Sequence, residues 1–153
     1  MTTLCVRIEH LRESFGIGTD HPRLSWIVET ENQDWHQTAY EIEAHDANGQ
    51  PRGSTDRLES DQSVLVDWPF TPLASCERLT VRVRVWDRDG QVSAWSAATP
   101  IEAGLLQTED WTARFITPDW EEDHSQPQPA PLLRREFELR AGIQSARLYI
   151  TSL

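Results

Sequence analysis

The chain has 153 residues and a formal net charge of −11, and all 14 of its basic residues are Arg. This excess of acid, with no Arg-rich run, argues against a nucleic-acid or anionic-membrane partner, because phosphate binding needs a basic face. Apolar residues at 38% are enough for a core, yet no stretch nears the ~18 consecutive apolar residues of a membrane span, and residues 1–10 lack the apolar run of a secretory signal, so a cytoplasmic chain is expected.

In chain order, strand-like runs fall at 5–8, 24–29, 39–44 and 64–68, separated by turn clusters at Gly16-Ile17-Gly18, Asn48-Gly49-Gln50-Pro51 and residues 69–72. The clearest period is Leu79-Thr80-Val81-Arg82-Val83-Arg84-Val85-Trp86, where apolar and polar residues alternate as in a half-buried strand. Asp87-Arg88-Asp89-Gly90 then supplies a turn, residues 92–98 a partner strand, and 99–103 the continuation of that arm. No window of the first 104 residues carries a helical period. Short strands with turn signals between them predict an all-β fold, a β-sandwich over 1–104.

After Gly104 the pattern changes. Residues 105–131 read as a linker, with a polar, Pro-rich part from 119 onward that has little apolar surface to bury and is expected to be mobile. Residues 132–139 and 145–151 read as two strands joined around Ala141-Gly142, the truncated start (132–153) of a second β-sandwich domain, too short to bury a core alone. Unpaired strands there, with Leu148 and Ile150 on one face, predict disorder or strand exchange in a dimer. Cys5 and Cys76 would lie near opposite poles of a sandwich roughly 25 Å long, so two thiols rather than a bridge are expected.

Residues with chemical potential mostly have simpler readings. Glu29, Glu31, Glu41 and Glu43 alternate along strand-like segments and read as a solvated sheet face rather than as acid–base catalysts. Asp87-Arg88-Asp89-Gly90 has the start of a calcium loop but no later carboxylate to complete it, so a hairpin turn is preferred. His10, His21, His36, His45 and His124 are scattered without zinc-ligand spacing. No metal and no cofactor is expected.

Several motifs agree in order with one family. Pro22-Arg23-Leu24-Ser25-Trp26, Gln37-Thr38-Ala39-Tyr40-Glu41-Ile42, Ser60-Asp61-Gln62-Ser63, and Val81 to Asp87 followed by Ser93-Ala94-Trp95-Ser96 resemble the N-terminal fibronectin type III-like domain of bacterial α-L-rhamnosidases. Trp111-Thr112-Ala113-Arg114-Phe115-Ile116, Pro131 to Phe137 and Ala146 to Thr151 resemble the entry into the next β-sandwich domain of those enzymes. The resemblance implies that hydrolysis of terminal α-L-rhamnosides belongs to a later helical-barrel domain, so no catalytic residue is assigned to this chain. It also implies that the remaining domains of the parent enzyme are its partners.

Trp26 is expected at the centre of the sandwich, faced by Val81, Val83 and Val85. Such domains usually carry a tyrosine six residues after a Leu; here Leu73 is followed by Leu79, so the corner hydrogen bond must be missing or replaced. Arg82 and Arg84 are expected to stack on Trp95 in a cation–π ladder, because Ser93-Ala94-Trp95-Ser96 is similar to half of the Trp-Ser-x-Trp-Ser motif of cytokine-receptor domains. Trp35 and Trp68 have most freedom to meet a neighbouring domain or a glycan, while Trp111 and Trp120 are expected to help dock the second segment. The alternative function is a carbohydrate-binding module holding rhamnose-containing glycans, or a protein-interaction module.

Overall fold

The computed structural model describes residues 2–11, 13–119, 125–127 and 130–151, and the chain divides into two compact units, Met1–Thr112 and Ala113–Leu153. The first unit holds β1 (Thr3–Ile8), β2 (Phe15–Ile17), β3 (Leu24–Glu29), β4 (Gln37–Asp46), β5 (Pro51–Ser54), β6 (Leu58–Glu59), β7 (Arg78–Asp87), β8 (Thr99–Ala103) and a 3-10 turn, Thr108–Asp110. β1 and β3 pair antiparallel in a small sheet; the larger sheet runs β2-β8-β7-β4-β5, with β6 also on β4. β2 lies parallel to β8, and the other pairs are antiparallel. The fold is all-β.

Alternation along the strands explains the core. β7 turns Leu79, Val81, Val83 and Val85 inward, each at most 3% exposed, where they meet Tyr40, Ile42 and Ala44 of β4 and Leu4, Ile8, Leu24 and Trp26 of the small sheet in one cluster. The Trp26 ring meets Tyr40 edge-on at 5.0 Å between centroids. Its indole N–H donates to Gln37 Oε1 at 2.8 Å, and the Gln37 amide in turn donates to the Ser60 and Gln62 carbonyls. The buried amide thus ties the core tryptophan to an irregular loop.

Two expected strands take other forms. Residues 64–68 make no strand: Val66 forms an isolated bridge with Leu24, while Leu65 has φ +51° and gives its N–H to Ser25 Oγ, which breaks the ladder. Residues 92–98 pair with β7 out of step. Ser93 N–H donates to Val85 C=O and Ser96 N–H to Val83 C=O, at 2.9 and 2.8 Å, so three residues of the arm span two of the strand. The Val85 and Val83 amides, left without a carbonyl opposite, donate to the Ser93 and Ser96 hydroxyls at 3.1 Å each. The turn before the arm is as expected: Asp87 Oδ1 accepts from the Asp89 and Gln91 amides, and Gly90 takes φ +75°.

The corner that lacks a tyrosine is closed by a carboxylate. Glu77 accepts from the Ala74 N–H at 2.8 Å and pairs with Arg52, while Leu73 and Leu79 are both buried. Cys5 and Cys76 are exposed thiols.

In the second unit, no strand ladder forms among the described residues, and Leu132, Phe137, Leu148 and Ile150 are 76–97% exposed. The strands expected at 132–139 and 145–151 are therefore not formed, although Ala141-Gly142 does make a turn with Gly142 at φ +86°. A strand is stable only with a neighbour to take its amides and carbonyls. Trp120, residues 121–124 including His124, residues 128–129, and 152–153 lie outside the described residues, and with them most of the stretch expected to be mobile.

Candidate functional surface

The outer face of the large sheet carries a dense array of charge and aromatic rings. β4 and β7 register Glu41 against Arg84 and Glu43 against Arg82. Both pairs close: Arg84 Nε lies 2.8 Å from Glu41 Oε2, Arg82 Nε lies 2.6 Å from Glu43 Oε1, and Ser54 Oγ adds a bond to Glu41. Glu41 is only 9% exposed. Of the four glutamates, Glu29 fits the solvated face that alternation suggests, while Glu31 is exposed in the bend beyond β3. Burial of a carboxylate is tolerated here because an arginine fork meets it.

Above these pairs the arm lays Trp95 across two arginines, with Arg84 at 4.5 Å and Arg82 at 5.6 Å from the ring centroid. The stack continues past the three residues named from sequence: Arg84 also lies over Trp86 at 5.2 Å, and Arg57 covers Trp86 at 5.1 Å. Arg84 is thus held between two indoles. The signal for the carboxylates was present in the paired spacings Glu-x-Glu and Arg-x-Arg. Arg57 had none, since it precedes a two-residue strand.

Trp68 does not meet solvent as its place beside Pro69 suggests. It is 6% exposed, its indole N–H donates to Thr71 C=O at 2.9 Å, and Phe70 packs edge-on at 5.1 Å. Trp35 is half-buried, with part of its side chain on the core. Trp111 is 40% exposed. Two shallow grooves flank Phe15: one is lined by Arg78, Thr80, Pro100 and Glu102, the other by Val6, Leu11, Glu13 and Pro100. Glu102 is 4% exposed and pairs with Arg78. Among the described residues, no three His, Cys, Asp or Glu side chains are grouped to hold a metal ion, and no helix is long and apolar enough to cross a membrane.

Perturbed carboxyls mark structural joints. Glu9 is held below the usual carboxylate range by hydrogen bonds from Arg23, whose guanidinium and backbone N–H both reach it. Asp46 is lowered by the Gln50 amide in the β4–β5 turn, and Asp110 by the Ser75 hydroxyl. Asp20 is lowered by its neighbour His21. Burial raises the Tyr40 phenol, with Asp67 adding to the effect.

Two β-sheets packed around one core define a β-sandwich. The chain belongs to the family of Rha78A-like N-terminal immunoglobulin domains, whose sequence model matches residues 4–107. It is 30% identical to an α-L-rhamnosidase of Streptomyces avermitilis over 95% of its own length, but only 16% of that protein's. Its structure is similar to native α-L-rhamnosidase from Aspergillus terreus, with a TM-score of 0.68 and 44% identity over 73% of this chain and 13% of that one. It also resembles Streptomyces avermitilis α-L-rhamnosidase complexed with L-rhamnose, with a TM-score of 0.69 and 30% identity over 74% and 12%. The chain therefore spans about one sixth of the length of the curated relative.

Proposed function

We propose that this chain is the non-catalytic N-terminal portion of an α-L-rhamnosidase, a glycoside hydrolase acting on terminal α-L-rhamnosides, and that it packs against and orients the remaining domains. Coverage carries the reading: similarity runs through 95% of this chain yet occupies 16% of the relative. The charged face agrees with it. Glycoside hydrolysis needs two carboxyl groups facing each other across a cleft, whereas Glu41 and Glu43 are each committed to an arginine. The test is turnover of a chromogenic α-L-rhamnoside by this chain and by the full reading frame of its parent. Turnover by the longer polypeptide alone is expected; turnover by these 153 residues overturns the reading.

Within the same reading, residues 132–153 begin a second β domain whose further strands the parent supplies. Two observations support this: Phe137 and Leu139 alternate with Glu and Arg, and sequence similarity reaches 95% of the chain while structural superposition reaches 74%. Trp35 is proposed as a contact to a neighbouring domain. Saturable quenching of tryptophan fluorescence by rhamnosides, lost in Trp35→Ala, would make it a glycan contact instead. Exposed thiols at Cys5 and Cys76 suit a reducing compartment, and cell fractionation would check the cytoplasmic location.

A further inference from the structure

We infer that Ser75 and Asp110 form a latch that fixes the direction in which the chain leaves the sandwich, making both positioning residues for whatever follows. The inference deepens the orienting role just proposed and rests on it for its biological meaning.

The latch begins where β8 ends. Gly104 N–H donates to Ile17 C=O at 2.8 Å and its carbonyl accepts from Cys76 N–H at 3.0 Å. A Cβ there would sit 3.2 Å from the Gly16 carbonyl oxygen, so the exit passes through a gap that admits only glycine without adjustment. Two residues on, Leu106 N–H donates to Ser75 Oγ at 3.0 Å, and the Leu106 side chain packs on the core. The same Ser75 hydroxyl donates its proton to the Asp110 carboxylate, which also accepts from the Gln107 N–H at 2.9 Å. One hydroxyl thus joins the corner before β7 to both ends of the exit segment. Residues 105–110, which read as linker, become a fastened extension of the first unit. Without the latch the apolar packing of Leu106 would remain, a contact with no preferred angle.

The experiment measures amide exchange and residual dipolar couplings by NMR on the full chain, wild type against Asp110→Ala and Ser75→Ala. In the wild type, amides 105–110 are expected to share the alignment of β4 and β7. In both variants their couplings shrink severalfold, and the amide that loses its acceptor, Leu106 in Ser75→Ala and Gln107 in Asp110→Ala, exchanges at least ~10-fold faster while β4 and β7 keep their protection. Ser75→Thr, which keeps the hydroxyl, restores both readouts. Unchanged couplings, or protection lost equally throughout β4 and β7, overturns the latch. No rhamnoside enters this test, so its failure would leave the proposed function standing, and failure of the rhamnoside assay would leave the latch standing.

Discussion

Ser96 shows how much can depend on one small polar side chain. Its hydroxyl is the acceptor for the Val83 amide, in the middle of the core strand, and Ser96 is itself 7% exposed. Ser96→Ala removes that acceptor and leaves a buried N–H unsatisfied, which should cost about 1–3 kcal/mol in urea unfolding. Gln37→Leu is expected to cost a similar amount, because it strands the Trp26 indole N–H and two loop carbonyls together. Neither role was legible in the sequence. Ser96 reads as an ordinary polar position of an alternating strand, and a glutamine among strand residues reads as surface. Trp26, Val81, Val83 and Val85 were legible because large apolar residues at period two have one place to go.

Among the elements, β7 organises the unit, with β4 on one edge and β8 and the 92–98 arm on the other. Trp95→Ala removes two cation–π contacts at once and should destabilise by about 1–2 kcal/mol, with Trp86→Ala comparable, as read by thermal or chemical melts. Gly53 of β5 faces Phe70, and a Cβ would fall 2.6 Å from its Cδ1. Gly53→Ala should therefore push the ring off Trp68, at a cost of about 1–3 kcal/mol. β1, β3, β4, β7, β8 and the hairpin turn were readable from alternation and from Asp-Gly chemistry, whereas β2 overlaps the Gly16-Ile17-Gly18 stretch that reads as a turn, and β5 and β6 are too short and too polar to show a period. The three-on-two pairing of the arm was not, because it depends on serine hydroxyls replacing carbonyls. The resemblance to half of a Trp-Ser-x-Trp-Ser motif marked the place but not its register.

For the molecule as a whole, acid sensitivity follows from the joints. Glu9, Asp46 and Asp110 hold their protons less tightly in the folded state than at their ordinary values of 4.5, 3.8 and 3.8. Each contributes stability that is fully present above the ordinary value and is lost as pH falls through the lower folded one. Melting temperature is therefore expected to be level down to about pH 5 and then to decline, less steeply in Glu9→Gln, which is less stable at neutral pH but loses less on acidification. The second unit marks the limit of reading from sequence: its alternation is strand-like, but a sheet requires neighbours that these residues do not provide. The mismatched arm has the opposite consequence for the first unit. Beyond β8, an uncovered β7 border would be a template on which other molecules could grow, yet the arm covers it there and its upper amides end in the arm's hydroxyls at an irregular repeat. That border is poorly suited to seeding fibrils, so concentrated samples of residues 1–112 should stay free of thioflavin-positive aggregate, and any that forms in the longer chain should involve residues 132–151.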